Sequence, residues 1–128
     1  MCIRDRSQTP GPSQHPVDAN ELLERLDGDR VFLVELTELF RADYPRQVTV
    51  IHEAILQDDA LRVKQASHAL KGALSNLAAS PAREMAANLE RLGASGDLAL
   101  AKLALGDLEK ELTRTIESLD ALCQETVQ

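Results

Sequence analysis

From Leu98 to Leu122 the core-forming positions return in alternating steps of three and four: Leu98, Ala101, Leu105, Leu108, Leu112, Thr115, Leu119 and Leu122. That spacing draws one stripe along a helix for about seven turns. A stripe of that length cannot face water. It needs other helices laid along it, so it predicts a bundle and makes a sheet improbable. Gly106 weakens this helix locally without shifting its register. The composition agrees. Hydrophobic residues make up 44% of the 128 residues, but the aromatics are only Phe32, Phe40 and Tyr44. Leucine and alanine must therefore supply the core, and no stretch alternates with period two between hairpin turns.

Residues 1–16, MCIRDRSQTPGPSQHP, are rich in Pro, Gly, Ser and Gln in their second half. They read as a disordered linker or a non-native leader, with the folded domain expected over 17–124. Asp18 and Glu21 have capping-box-like spacing ahead of Leu22, Leu23 and Leu26, which gives a short first helix ending at Gly28. Asp29 can cap the next. That second pattern carries Leu33, Leu36, Phe40, Tyr44, Val48, Ile51 and Ile55 in one phase across Pro45, which predicts a long kinked helix or two helices meeting near Tyr44. It stops at Asp58 and Asp59. A third helix is expected over Ala60 to Ala78. Ser80 is read as the cap of a fourth, with Pro81 at its first position and Gly93 at its end. Asp97 caps the last. Short loops imply antiparallel neighbours, so the predicted fold is all-α: an antiparallel four-helix bundle with a short additional N-terminal helix.

Several function classes drop out. The net charge is −7 and no basic run is present, which argues against nucleic-acid binding. No apolar segment approaches the ~18 residues a membrane span needs. The N-terminus lacks the apolar stretch of a secretory signal. Cys2 and Cys123 have no CxxC spacing and read as reduced thiols, not a disulfide, so a cytoplasmic location is expected. His52-Glu53 opens a zinc-helix pattern that Leu56 breaks, and Thr49 and Gln65 stand where di-iron bundles need glutamates. His52 reads as a helix-surface residue and His15 as solvated. There is no glycine-rich nucleotide loop, so the chain is not expected to use ATP or to act as a kinase.

SHALKGALSN, residues 67–76, asks for a different explanation. Gly72 stands inside a helix, where it costs roughly 1 kcal/mol relative to alanine. With about 100° per residue, Lys64, Lys71, Gly72 and Ser75 fall within about 60° of His68. Val63, Ala66, Leu70, Ala73, Leu74 and Leu77 gather on the other side. His68 is thus placed on the polar face, which argues against a core histidine and leaves a plain surface histidine as the alternative. Gly72 lets another molecule approach the imidazole. Lys71 can neutralise an anion held on the ring, and Ser75 can donate to it. Neutral imidazole is a nucleophile near pH 7, so this set suits a reversible phosphoryl acceptor.

The run His68-Ala69-Leu70-Lys71-Gly72-Ala73 resembles the HxLKG(S/A) signature of the histidine-containing phosphotransfer (HPt) domain. The likeness extends from about Leu22 to Leu122. It takes in the LLERLDGDR opening, the Phe40…Pro45 region and the Asp-rich turn before the motif helix. It implies a helical bundle whose exposed histidine takes a phosphoryl group from a receiver-domain aspartate and passes it to another receiver. By position, His68 would be the phosphorylation site, Lys71 the charge-stabilising residue and Gly72 the clearance position. Glu90 matches a Gln/Glu position that orients the histidine ring in some members. The resemblance implies no cofactor on this chain, Mg²⁺ only on the partner, response-regulator receiver domains as partners with docking around Leu61, Ala69 and Gly72, and a monomer. The leader would fit a linker behind a hybrid sensor kinase in cis, or the tail of a free-standing carrier. The chain departs from the family at Ala78, where glycine often follows the leucine. Two other readings are an HPt-fold adaptor that binds a receiver without phosphotransfer and a plain structural bundle.

Overall fold

The computed structural model describes residues 15–126, and the expected leader falls almost wholly outside them. Among the described residues there are five helices and no strand: α1 Ala19–Arg25, α2 Arg30–Leu56, α3 Ala60–Asn76, α4 Ser80–Ser95 and α5 Leu98–Thr126. The four long helices run up and down, each packing on the next, and α5 closes the ring on α2. The α3–α4 pair is the most extensive. Leu33, Ile51, Val63, Leu70, Leu74, Leu89, Leu108, Leu112 and Leu119 are buried between the helices of the bundle, the leucine-rich core the composition predicts.

Four of the 21 acidic residues have a local purpose. Asp18, Asp29, Asp59 and Asp97 each accept the backbone N–H three residues on, from Glu21, Phe32, Arg62 and Leu100 at 3.0–3.2 Å. Such caps are worth about 1 kcal/mol apiece. The C-terminal ends of α1 to α4 are equally uniform. Each closes with a backbone bond from a residue five positions on: Gly28 to Leu23, Asp59 to Ala54, Ala79 to Leu74 and Asp97 to Leu92. The residue before that donor is left-handed in every case: Asp27, Asp58, Ala78 and Gly96. Ala78 has φ +54°, a conformation that costs a non-glycine residue about 1–2 kcal/mol. The departure from the family pattern at Ala78 is therefore a strained alanine in a standard helix stop.

Of the two readings at Pro45, the single long helix is the one present: α2 runs uninterrupted through the proline. Three local expectations need correcting. Helix α3 ends at Asn76 rather than Ala78, because Ala78 has left the helical region. Ser80 does not cap α4; Ala79 occupies the cap position with no side-chain bond, and Pro81 sits in the first turn. Gly93 does not end α4, which continues to Ser95 and stops at left-handed Gly96.

Helix α1 lies against the end of α3. Leu22 is fully buried, Asp18 N–H donates to the Ala78 carbonyl at 2.9 Å, and the Arg25 guanidinium donates to the Ser75 carbonyl.

Candidate functional site

His68 projects from the middle of α3 with its side chain 68% exposed, as the helical wheel requires. Its inner neighbours Ser67 and Leu70 are buried, so the ring cannot turn inward without displacing core. Across the α3–α4 groove stands Glu90, between buried Leu89 and exposed Arg91. One carboxylate oxygen of Glu90 meets His68 Nδ1 at 2.9 Å. The other accepts from Lys71 Nζ at 2.8 Å. The Lys71 bond holds the Glu90 carboxyl below the ordinary carboxylate range; its partial burial pushes the other way, and the His68 bond adds to the lowering. Glu90 is therefore ionised at neutral pH and can only accept hydrogen bonds. His68 Nδ1 must then carry a proton, and in the neutral ring the lone pair lies on Nε2, at the far edge.

What brings Glu90 to His68 is the closeness of α3 and α4. One turn further along α4, a β-carbon on Gly93 would lie 2.7 Å from the Lys64 backbone nitrogen and 3.1 Å from the Ala60 carbonyl oxygen. No side chain fits there. Sequence reasoning missed this role, because a glycine three residues before another glycine looks like the start of a helix stop. Arg25 was missed as well. Its i,i+4 partner Glu21 was a legible signal, but its contact with the Ser75 carbonyl joins elements fifty residues apart.

Gly72 lies on the same face as His68 and is exposed, and a β-carbon there would meet nothing within 4 Å. Nothing inside the protein needs its missing side chain. Ser75 is half-buried, seven residues and about 10 Å along the axis from His68, and is not gathered into the His68–Glu90–Lys71 cluster. Leu61 is 62% exposed and Ala69 is also exposed. The structure adds an apolar cleft of about 360 Å³ between α2 and α3, lined by Leu36, Leu39, Phe40, Ala73 and Leu77 among others. A larger open groove by Val17, Ala78 and Pro81 contains none of the site residues.

His52 lies exposed on α2, as expected of a surface residue. Cys123 is half-buried with its Sγ 3.5 Å from Thr37 Oγ1, while Cys2 falls outside the described residues. Among the described residues, no group of three His, Cys, Asp or Glu side chains could hold a metal ion, and no helix is long and apolar enough to cross a membrane.

A search of curated proteins found no match. The structure is similar to the crystal structure of histidine-containing phosphotransfer protein B from Pseudomonas aeruginosa, with a TM-score of 0.77 and 22% identity, over 88% of this chain and 98% of that one. At that identity the likeness speaks for the fold. The family model of the Hpt domain matches residues 35–124, a span that holds His68, Lys71, Gly72 and Glu90 together. This chain belongs to the Hpt domain family, the phosphotransfer modules of two-component phosphorelays.

Proposed function

We propose that His68 is the phosphorylation site, and that this protein takes a phosphoryl group from the aspartate of one receiver domain and delivers it to another. The observation that carries this reading is the exposed imidazole whose Nδ1 is engaged by the Glu90 carboxylate. The Nε2 lone pair attacks the phosphorus of an aspartyl phosphate. The N–P bond forms as the P–O bond to the aspartate breaks, and the bonding pair leaves with the carboxylate. The ring keeps its Nδ1 proton and becomes cationic, with Glu90 accepting from it. Lys71 faces the negative charge of the transferring group. Reversal onto a second aspartate completes the relay.

Mg²⁺ in this scheme belongs to the receiver, and this chain supplies no cofactor. It acts as a monomer in the cytoplasm, free-standing or behind a hybrid kinase. Docking covers the face around Gly72, Ala69 and Leu61 and reaches toward the cleft beside Leu39. A relay must release its partner, so the complex is small and short-lived.

The test is incubation with a receiver domain carrying labelled phosphate on its aspartate. The wild-type chain gains acid-labile, alkali-stable label and His68→Gln gains none. Equal label on both proteins removes the assignment. Receiver binding without label on the wild type favours the adaptor reading instead.

A further inference from the structure

The Glu90 carboxylate serves two partners at once. Its oxygens are divided between His68 Nδ1 at 2.9 Å and Lys71 Nζ at 2.8 Å. The lysine that would stabilise a phosphoryl group on His68 is thus already bound to an anion before any phosphoryl group arrives. We propose that Lys71 exchanges partners during the transfer cycle: Glu90 holds the ammonium in the unphosphorylated protein, and the phosphoryl group on His68 Nε2 takes it over. This rests on His68 being the acceptor.

The exchange follows from charge and reach. The phosphoryl group carries about −2, against −1 on the carboxylate, so it is the stronger anion for a mobile cation. Lys71 lies one turn beyond His68 on the same face, where side chains three apart are neighbours. Its side chain is 30% exposed and its four-carbon stem is flexible, so it can swing without disturbing the core. Glu90 cannot follow, because its helix is seated against α3 at Gly93. It stays on the imidazole just as the ring gains positive charge. The carboxylate therefore exchanges the lysine cation for a strengthened bond to the ring cation, and neither anion of the phosphorylated site is left without a cation. The exchange itself makes and breaks no covalent bond; the N–P bond forms and the donor's P–O bond breaks in the transfer, and the ammonium keeps its protons throughout.

A double-mutant cycle tests this on the full chain. Wild type, Lys71→Gln, Glu90→Gln and the double variant are unfolded in urea before and after treatment with phosphoramidate, a small phosphoryl donor, with occupancy measured by mass spectrometry. In the unphosphorylated proteins the two positions are coupled by roughly two- to five-fold in the folding equilibrium constant. In the phosphorylated proteins that coupling disappears. Coupling of equal size in both states overturns the exchange. A second measurement needs only the wild type: on phosphorylation the ¹⁵N signal of the Lys71 ammonium shifts while the His68 Nδ1–H remains protonated and bonded. An unmoved Lys71 signal overturns the proposal even where the glutamine variants take up no phosphoryl group. Absence of phosphate on wild-type His68, from phosphoramidate and from a phosphorylated receiver alike, overturns the phosphocarrier reading and the exchange with it.

Discussion

Gly72 and Gly93 stand inside the two helices of one antiparallel pair, each at a position where helix propensity alone favours alanine. A β-carbon on Gly93 would press into the backbone of α3, 2.7 Å from Lys64 nitrogen. A β-carbon on Gly72 would meet open space. The first glycine is explained by the fold and the second is not. A residue that the fold leaves unexplained, one turn from an exposed histidine, fits the clearance role proposed for it. The contrast also links the two, because close packing at Gly93 seats Glu90 against His68.

Breaking the packed side of this contrast gives the largest effect. In Gly93→Ala the helix-propensity gain is at most about 1 kcal/mol. The overpacking term is about 1–3 kcal/mol, and the atoms it strikes are backbone and cannot rotate away. The variant should lose about 1–2 kcal/mol in urea unfolding, and Gly93→Leu about 3 kcal/mol or more. With α4 lifted, the His68 Nδ1–H should exchange faster with solvent in ¹⁵N spectra. An alanine variant as stable as wild type, with His68 still bonded to Glu90, would disprove the claim that Gly93 sets that distance.

The open side behaves differently. Gly72→Gln should fold with wild-type stability to within about 1 kcal/mol, because an exposed helix position tolerates glutamine. Phosphoryl transfer from a receiver should slow by roughly ten- to a hundred-fold, since the reacting atoms can no longer approach in line. Transfer from phosphoramidate, which needs no docking surface, should change far less. Transfer from the receiver at the wild-type rate would break the comparison at its functional end, even with His68 as acceptor.

How much of this was legible in advance depended on the range of the interaction. The helices, the caps at Asp18, Asp29 and Asp97 and the outward direction of His68 follow from spacing within about ten residues, and all are present in the structure. Glu90 could be named only through family resemblance, because no local pattern in α4 marks it. Its bond to Lys71, the seat of Gly93 on Lys64 and the Arg25 contact with Ser75 arise from helix pairing, which periodicity does not specify. Gly93 was misread for the same reason. Glycine near a helix end is usually a stop, and only the neighbouring helix shows that this one is a contact. Ser80 failed in the opposite way. Its residue type suits a cap, but the left-handed stop at Ala78 turns the chain into α4 one residue early.

The finest test uses a third glycine as a reference. Gly106 lies exposed inside α5, remote in sequence from the motif, and a β-carbon there also meets nothing within 4 Å. Gly72→Ala and Gly106→Ala should each raise stability by about 0.4–1 kcal/mol, since each removes backbone freedom from the unfolded chain and adds no clash. The two should part company in transfer. Gly106→Ala should leave the rate from a phosphorylated receiver unchanged, because α5 carries none of the residues around His68. Gly72→Ala places one methyl group on the proposed docking face and should slow the same step by about two- to five-fold, less than one contact-sized displacement would cost. Matched stability gains with unequal transfer rates would assign the glycine at 72 to the partner's approach. Equal rates would mean that the clearance at Gly72 is wider than a methyl group, and that only longer side chains report on it.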